Sequence, residues 1–377
     1  MKIAVNARLL IHGKLDGIGW FSFETLSRIT RQHPEHEFYF IFDRPFDKEF
    51  LFSENVKPLV YPPPTRHPLL WIIWFELVIP HVLKKIKADL FLSPDGYLSL
   101  RTKVPSLAVI HDINFIHRPD DIPFFTCRYY RYFFPKFAER ANRIVTVSEY
   151  SRRDIINQFD IPEDKIDLVY NGANESFNPV PEDTKEEVKG KYSSGSPYFL
   201  FVGSLHPRKN ITNLLKAFQL FKDDLKNDLK LLIVGKKFFL NREMEEQINS
   251  MKDKKDVIFT GRLSQHELRK VYGAAFALTF VPYFEGFGIP VVEAMKCDLP
   301  VIASNVTSLP EIAGDAALFA EPGNPGSIRD AMVRMFKEKG LRDELIEKGR
   351  QRRELFNWND TADGLWVSIR KVLEGNA

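Results

Sequence analysis

The 377-residue sequence has little cysteine and no excess of charge of either sign. Only Cys127 and Cys297 are present, which excludes a disulfide scaffold and a zinc site with four cysteine ligands. Lys and Arg number 53 against 50 for Asp and Glu, so the net charge of +3 is too small for a protein dedicated to nucleic acid. Aromatic residues make up 13%, which excludes a disordered chain, and the length favours two or three domains.

A long hydrophobic run is also missing. Glu76, Pro80 and His81 interrupt the most apolar stretch, residues 69–83, which falls short of the roughly 18–20 apolar residues of a membrane-spanning helix. This stretch is typical of a core helix, and a helix that dips into a membrane surface is the alternative. Residues 1–6 have the pattern of a strand rather than of a secretory signal. We predict a cytoplasmic protein and leave open a peripheral contact with the inner face of the membrane.

Short apolar runs recur along the chain and predict strands. The first series comprises residues 2–5, 37–42, 90–92, 106–110, 143–147 and 166–169. The second series comprises residues 198–201, 230–234, 257–260, 277–280, 300–303 and 317–319. Helical patterns separate these runs, as in parallel sheets covered on both faces. The predicted fold class is therefore α/β, with two Rossmann-like, doubly wound domains.

The polar segment 178–196 has the prolines and the Ser-Gly cluster of an inter-domain connection. It separates a predicted N-terminal domain, residues 1–178, from a C-terminal domain, residues 179–360. The last helical pattern, residues 357–372, carries two tryptophans, which indicates that it docks onto another part of the protein.

A basic loop follows the first strand of the second domain. Gly203 and Ser204 come directly after this strand, and Arg208 and Lys209 precede a helix for which Asn210 is a plausible N-cap. Backbone amides, a helix N-terminus and two cations together predict a cradle for a diphosphate, although the Walker pattern is absent. A solvated basic loop is the alternative.

A glycine loop with two carboxylates follows strand 277–280. Glu285 precedes Gly286 and Gly288, and Glu293 comes eight residues after Glu285, in the predicted first turn of a helix. The glycines permit a tight loop whose amides face a ligand, and the carboxylates suit sugar and ribose hydroxyls. The alternatives are a loop charge for Glu285 and a favourable interaction of Glu293 with the helix dipole.

Three further features follow strands. Gly261, Arg262 and Leu263 could bracket a flat base, although Ser264 after them is explained equally well as a helix cap. His111 follows strand 106–110, where a ligand-binding and a structural role are evenly matched. Gly17 and Gly19 lie between the first strand and the first helix, but no third glycine follows, so a nicotinamide site is disfavoured.

Segment 128–143 interleaves basic and aromatic residues. An amphipathic helix with its aromatic rings in the core is the favoured interpretation. A face for anionic lipid headgroups or for a lipid-diphosphate acceptor is the alternative.

Five segments carry a family resemblance: Gly203-Ser204 with Arg208-Lys209-Asn210, Glu285-Gly286-Phe287-Gly288 with Glu293, residues 308–317, residues 169–172 and residues 147–149. Together they resemble the retaining glycosyltransferases of family 4, known as group 1. The resemblance implies a GT-B fold, with the acceptor on the N-terminal domain, the nucleotide-sugar donor on the C-terminal domain, and a final helix, residues 361–377, that crosses back to the first domain.

The resemblance also implies roles for individual residues. Arg208 and Lys209 would bind the diphosphate, Glu293 the ribose, and Glu285 the donor sugar, whose pocket His111 would line. The other implied donor-binding residues are Gly17, Gly19, Gly203, Ser204, Gly261, Arg262, Leu263, Gly286, Phe287, Gly288 and Ile289. Such enzymes need no metal or other cofactor, because cations and helix dipoles stabilise the departing diphosphate.

These observations favour a retaining hexosyltransferase that acts on a glycan or a lipid-linked acceptor. The segment 308–317 looks more like mannosyl-transferring relatives, which favours GDP-mannose over a UDP-hexose. The alternatives are a nucleotide-sugar epimerase on the same fold and a non-catalytic protein that binds nucleotide sugars.

Overall fold

The computed structural model describes residues 1–235 and 242–375. The chain forms two compact units, the first from Met1–Gly172 and Asn357–Ala377, the second from Ala173–Phe356. The segment 178–196 therefore lies inside the second unit, and most of it forms a helix rather than a plain connection. Residues 376 and 377 of the implied final helix lie outside the described residues.

The first unit contains a parallel sheet, which within the described residues has the strand order β3-β2-β1-β4-β5-β6-β7. Its strands are β1 (Lys2–Asn6), β2 (Glu37–Phe42), β3 (Val56–Val60), β4 (Leu90–Ser93), β5 (Ser106–Val109), β6 (Arg143–Thr146) and β7 (Ile166–Leu168). Its helices are α1 (Gly17–Gln32), α2 (Pro68–Ile73), α3 (Ile79–Ile86), α4 (Asn114–His117), α5 (Phe124–Arg140) and α6 (Glu149–Phe159).

The second unit contains a second parallel sheet, with the order β10-β9-β8-β11-β12-β13 in the part that the structure describes. Its strands are β8 (Tyr198–Val202), β9 (Lys230–Val234), β10 (Val257–Gly261), β11 (Ala277–Phe280), β12 (Val301–Ser304) and β13 (Ala317–Ala320). Its helices are α7 (Glu182–Ser193), α8 (Ile211–Asp224), α9 (Arg242–Ser250), α10 (Gln265–Ala274), α11 (Ile289–Lys296), α12 (Leu309–Ala313), α13 (Pro325–Lys337) and α14 (Leu341–Arg353).

The predicted strands are confirmed, and each predicted end differs from the structure by no more than one residue. The apolar runs form strands because both faces of each sheet are covered, and β4, β5, β11 and β12 are buried at every position. Strand β3 was not predicted. Its central Pro58 disfavours a strand in general, but β3 lies at the sheet edge, where the missing amide hydrogen costs little.

The apolar stretch 69–83 is helical, as predicted, but it is divided. Helices α2 and α3 flank a π-helical turn at Trp74–Val78. Trp74 and Phe75 are fully buried, which confirms a core role, whereas Leu69 and Leu77 are exposed. Within the ranges that the structure describes, no helix combines the length and the apolar character that crossing a membrane requires. The cytoplasmic location stays a prediction.

The last helix, α15 (Trp358–Leu373), packs against α1 in the first unit. The indole ring of Trp366 stacks on the imidazole of His33 at a centroid distance of 3.7 Å. Asp167 on β7 accepts hydrogen bonds from Ser368 and Lys371 of α15, both at 2.7 Å. Aromatic stacking and these polar contacts explain why α15 belongs to the first unit although it follows the second unit in the chain.

Candidate active site

The carboxyl edge of the second sheet carries a row of three glycines. Gly203, Gly235 and Gly261 lie at or just after the ends of β8, β9 and β10. The amide of Gly235 donates to the carbonyl of Gly261 at 3.0 Å, and a methyl group on Gly235 would overlap the carbonyl oxygen of Gly203. The close backbone approach therefore requires glycine at position 235. Gly235 was not among the predicted site residues, although a glycine directly after a predicted strand is a recognisable signal.

Arg208 and Lys209 lie in a short 3₁₀ turn, Pro207–Lys209, that joins β8 to α8. Asn210 ends this turn with a left-handed φ of 63°, which Asn tolerates better than most residues. Asn210 occupies the predicted N-cap position of α8, but its side chain makes no cap hydrogen bond to that helix. Instead, the Asn210 amide group donates to the carbonyls of Val281 at 2.9 Å and Pro322 at 2.7 Å. These bonds fix the basic turn against the loops after β11 and β13.

Glu285 is the centre of a charged cluster. Its Oε2 atom accepts a hydrogen bond from the Arg208 guanidinium at 3.1 Å and another from the Lys209 ammonium. Burial acts to raise the pKa of Glu285, but the charges of Lys209 and Arg208 outweigh burial and lower it. Glu285 is therefore ionised at neutral pH. Its Oε1 atom makes no hydrogen bond within the described part of the chain, so one carboxylate oxygen is available to accept from a ligand.

The glycine loop after β11 is held from the side by Ser308. The Ser308 hydroxyl oxygen lies 2.9 Å from the carbonyl oxygens of both Glu285 and Phe287. Gly288 has a left-handed φ of 106°, and a methyl group there would overlap the Leu309 side chain. Ser308 was part of the family resemblance, but sequence reasoning assigned it no site role.

Glu293 lies beyond the first turn of α11, so the structure contradicts the predicted first-turn position and the dipole interpretation that rested on it. Its Oε2 atom accepts a hydrogen bond from the Tyr272 hydroxyl of α10 at 2.7 Å. Burial raises the pKa of Glu293 to about 7, against a smaller lowering by that hydrogen bond. Its Oε1 atom makes no hydrogen bond to any residue that the structure describes.

The remaining predicted donor residues of the second unit have diverse surroundings. Ser204 and Arg262 are exposed, Leu263 and Ile289 are partly buried, and Gly286 is buried. Phe287 is buried against Phe356, with ring centroids 5.6 Å apart. Ser264 caps α10 by accepting from the amide of Glu267 at 3.2 Å, which confirms the helix-cap interpretation of that residue.

Gly17, Gly19 and His111 belong to the first unit. The two glycines form the first turn of α1 rather than a separate loop, because the Asp16 side chain caps this helix at the Gly19 amide. His111 lies 2.9 Å from the Pro94 carbonyl oxygen through Nε2, which must therefore carry a proton. Burial lowers the pKa of His111, so the imidazole is neutral at physiological pH.

One group of side chains in the described ranges has the spacing to hold a metal ion. His12, Asp47 and Glu49 meet this criterion, but all three are exposed. Exposed acidic groups of this kind are common without an ion, and we assign this group no role.

Of the predicted site residues, the structure brings Arg208, Lys209 and Glu285 into direct contact.

Known proteins resemble both units. A model of the glycosyltransferase family 4 matches residues 16–177, and a model of the group 1 glycosyl transferases matches residues 182–352. The chain is 29% identical to the O-antigen chain mannosyltransferase B of Escherichia coli, over 78% of each chain. It is 27% identical to the O-antigen chain mannosyltransferase RfbU of Salmonella typhimurium, over 70% of each chain.

Among solved structures, Anabaena HepE in complex with UDP-glucose superposes with a TM-score of 0.76 at 15% identity, over 98% of this chain and 100% of that one. Two parallel-sheet α/β units and this likeness identify the fold as GT-B. The two family models between them span most of both units, and the charged cluster lies within the group 1 match. The chain therefore belongs to the family 4, group 1 glycosyltransferases.

Proposed function

We propose that this glycosyltransferase moves mannose from GDP-mannose to a glycan or lipid-linked acceptor, with retention of the anomeric configuration and without a metal. The mannosyltransferase relatives support the choice of sugar. One structural observation carries the proposed donor site. Glu285 and Glu293 each commit Oε2 to internal partners and keep Oε1 available, and Glu285 contacts two cations in loops that follow strands of one parallel sheet.

The two carboxylates suit two different sets of hydroxyl groups. Ionised Glu285 accepts hydrogen bonds and cannot donate one, so it would hold hydroxyls of the donor sugar and act as a positioning residue. Glu293, in its deprotonated form, would accept hydrogen bonds from the ribose hydroxyls. Arg208 and Lys209 form ion pairs with Glu285. Both side chains would also donate charge-assisted hydrogen bonds to the diphosphate.

In the proposed reaction, the bond from the anomeric carbon to the diphosphate oxygen breaks, and its electron pair leaves with that oxygen. The acceptor hydroxyl then bonds to the anomeric carbon from the same face, and its proton passes to the leaving phosphate oxygen. Arg208 and Lys209 would stabilise the charge that develops on the diphosphate. The donor roles of Gly17, Gly19 and His111 stay predictions.

A thermal-unfolding panel of nucleotide sugars tests the donor. At roughly 100 times its Kd, the true donor stabilises the protein by about 2.7 kcal/mol, and we expect GDP-mannose to give the largest shift. Lys209→Ala and Arg208→Ala should each lower turnover about 100-fold. Lys226→Ala, at an exposed loop position, is the matched control and should leave turnover unchanged. A larger shift with a UDP-hexose would contradict the choice of GDP-mannose.

The two alternatives give different products. An epimerase would change the sugar of the donor when no acceptor is present, which chromatography of the recovered sugar detects. A non-catalytic binding protein would bind the donor but release no nucleoside diphosphate across a broad acceptor panel. Transfer that continues after treatment with a chelator would support the metal-independent mechanism, and its complete loss would contradict it.

A further inference from the structure

One surface of helix α5 combines exposed aromatic rings with exposed cations. We define the α5 face as Phe124, Phe125, Arg128, Arg131 and Tyr132. The three aromatic residues are 67%, 72% and 58% exposed, in chain order, and both arginines are exposed. Because these positions recur at helical spacing, they lie on one side of α5. The favoured sequence interpretation, with the aromatic rings in the core, is therefore correct for only part of this helix.

The opposite side of α5 is firmly anchored in the first unit. Tyr129, Phe134 and Phe137 are buried, and the Tyr130 ring stacks on Trp71 of α2 at a centroid distance of 5.7 Å. The outward rings are therefore not displaced core residues, since the helix already fills its share of the core. The helix presents them on a fixed platform.

Aromatic rings and cations alternate along the α5 face. The Arg128 guanidinium lies 5.7 Å from the centroid of Phe124, and the Lys136 ammonium lies 3.7 Å from that of Tyr132, each one helical turn away. Neither Arg128 nor Arg131 forms an ion pair with any residue in the described part of the chain. Arg140 differs from both, because its guanidinium binds the carbonyls of Thr102 and Val104.

We propose that the α5 face binds an anionic membrane surface. Phe124 and Phe125 would insert at the boundary between headgroups and acyl chains, while Arg128 and Arg131 would contact lipid phosphates. Charge complementarity selects this occupant over a second copy of the chain, because two α5 faces in contact would place these unpaired arginines against one another. Leu69 and Ile72, exposed on the adjoining helix α2, add apolar surface to the same unit.

Sedimentation with vesicles tests this proposal without donor or acceptor, so its outcome is independent of the proposed reaction. The full chain should sediment with phosphatidylcholine vesicles that contain about one third phosphatidylglycerol, and about tenfold less with pure phosphatidylcholine. Raising the salt from about 0.1 M to about 0.5 M should weaken the binding, because it screens the arginines.

Two double variants separate the two parts of the α5 face. Arg128→Glu/Arg131→Glu should lower the partition coefficient about 100-fold, and Phe124→Ser/Phe125→Ser about tenfold. The charge-matched control is Lys226→Glu/Lys255→Glu, and the apolar control is Leu355→Ser, all at exposed positions of the second unit. Both controls should bind like the wild-type protein. Unchanged thermal unfolding would show that each variant still folds.

Three results would overturn the proposal. The first is a wild-type chain that does not sediment with the anionic vesicles. The second is equal loss of binding in the α5 variants and in the controls. The third is a wild-type chain that does not bind vesicles but self-associates, with Phe124→Ser/Phe125→Ser abolishing the self-association. That result would assign the α5 face to a second copy of the chain.

Discussion

Asp95 in the first unit and Glu285 in the second are both carboxylates in loops that follow sheet strands, and their side chains are only 4% and 13% exposed. Asp95 uses both of its oxygens. Its Oδ2 atom accepts from Arg8 at 2.6 Å, and its Oδ1 atom accepts from Asn6 at 2.7 Å and Ser93 at 3.0 Å. Glu285 accepts from two cations through Oε2 alone.

We propose that this difference separates a structural carboxylate from a ligand-binding one. The oxygens of Asp95 are satisfied by side chains at the ends of β1 and β4, so Asp95 joins the loops that follow these strands. Glu285 holds two cations and keeps one oxygen for another partner. Burial and ion pairing alone would not distinguish the two residues. The number of carboxylate oxygens that accept a hydrogen bond does, because Asp95 uses two and Glu285 uses one.

Asp95→Asn should destabilise the first unit by about 4 kcal/mol, because it leaves the buried Arg8 guanidinium without a counter-charge. Urea unfolding measures this effect, with the exposed Asp120→Asn as the control. A free energy of unfolding that matches the control would mean that Asp95 is not the structural member of the comparison.

Glu285→Gln should lower turnover as well as stability, because Glu285 is also the counter-charge of buried Lys209. The variant keeps the shape of the side chain but loses its charge, and we expect turnover to fall about 100- to 1,000-fold. Release of nucleoside diphosphate in the presence of acceptor measures the effect, with exposed Glu344→Gln as the control. Turnover near that of the wild type would remove the distinction between Glu285 and Asp95.

The raised pKa of Glu293 should make the free energy of unfolding depend on pH. Its pKa rises from an ordinary value near 4.5 in the unfolded chain to about 7 in the folded one, so the folded state holds the proton more tightly. The resulting stabilisation is complete below about pH 4.5 and is lost as the pH rises through about 7, a change of about 3 kcal/mol. Urea unfolding of the wild type and Glu293→Gln across this range measures it. A constant difference between the two proteins would contradict the raised pKa.

Ser308→Ala should have the smallest effect. The Ser308 hydroxyl bridges the carbonyls of Glu285 and Phe287, so its loss should lower the free energy of unfolding by about 1 kcal/mol. It should also raise the KM for the donor about fivefold and leave kcat nearly unchanged. Thr307→Ala is the control, because within the described part of the chain the Thr307 hydroxyl donates to the carbonyl of the adjacent Val306 and to no other group. Equal effects of both substitutions would show that Ser308 does not position the glycine loop.

The sequence was sufficient to predict the sheets and the loops that carry the charged cluster. Buried parallel strands are nearly continuous apolar runs, so their ends and the loops after them are visible in the chain itself. Arg208, Lys209 and Glu285 lie in loops after two of these predicted strands, and the family resemblance implies that all three bind one donor. Edge strand β3 lacked such a run and was missed.

The partners of site residues could not be predicted in the same way. Tyr272 and Glu293 are 21 positions apart, on different helices, and their hydrogen bond depends on how α10 and α11 pack. The same holds for Ser308, which reaches back to the loop after β11. The side chain of Asn210 binds across to two other loops, so the local cap rule fails there.

The return of α15 to the first unit has a consequence for biosynthesis. The second unit is one continuous segment, so a ribosome delivers all of it before Trp358 is made. The first unit is incomplete until α15 has been synthesised. The backbone of α15 packs so closely against Gly172 that a methyl group on Gly172 would overlap Trp358. The first unit is therefore completed only after the whole of the second unit has been synthesised.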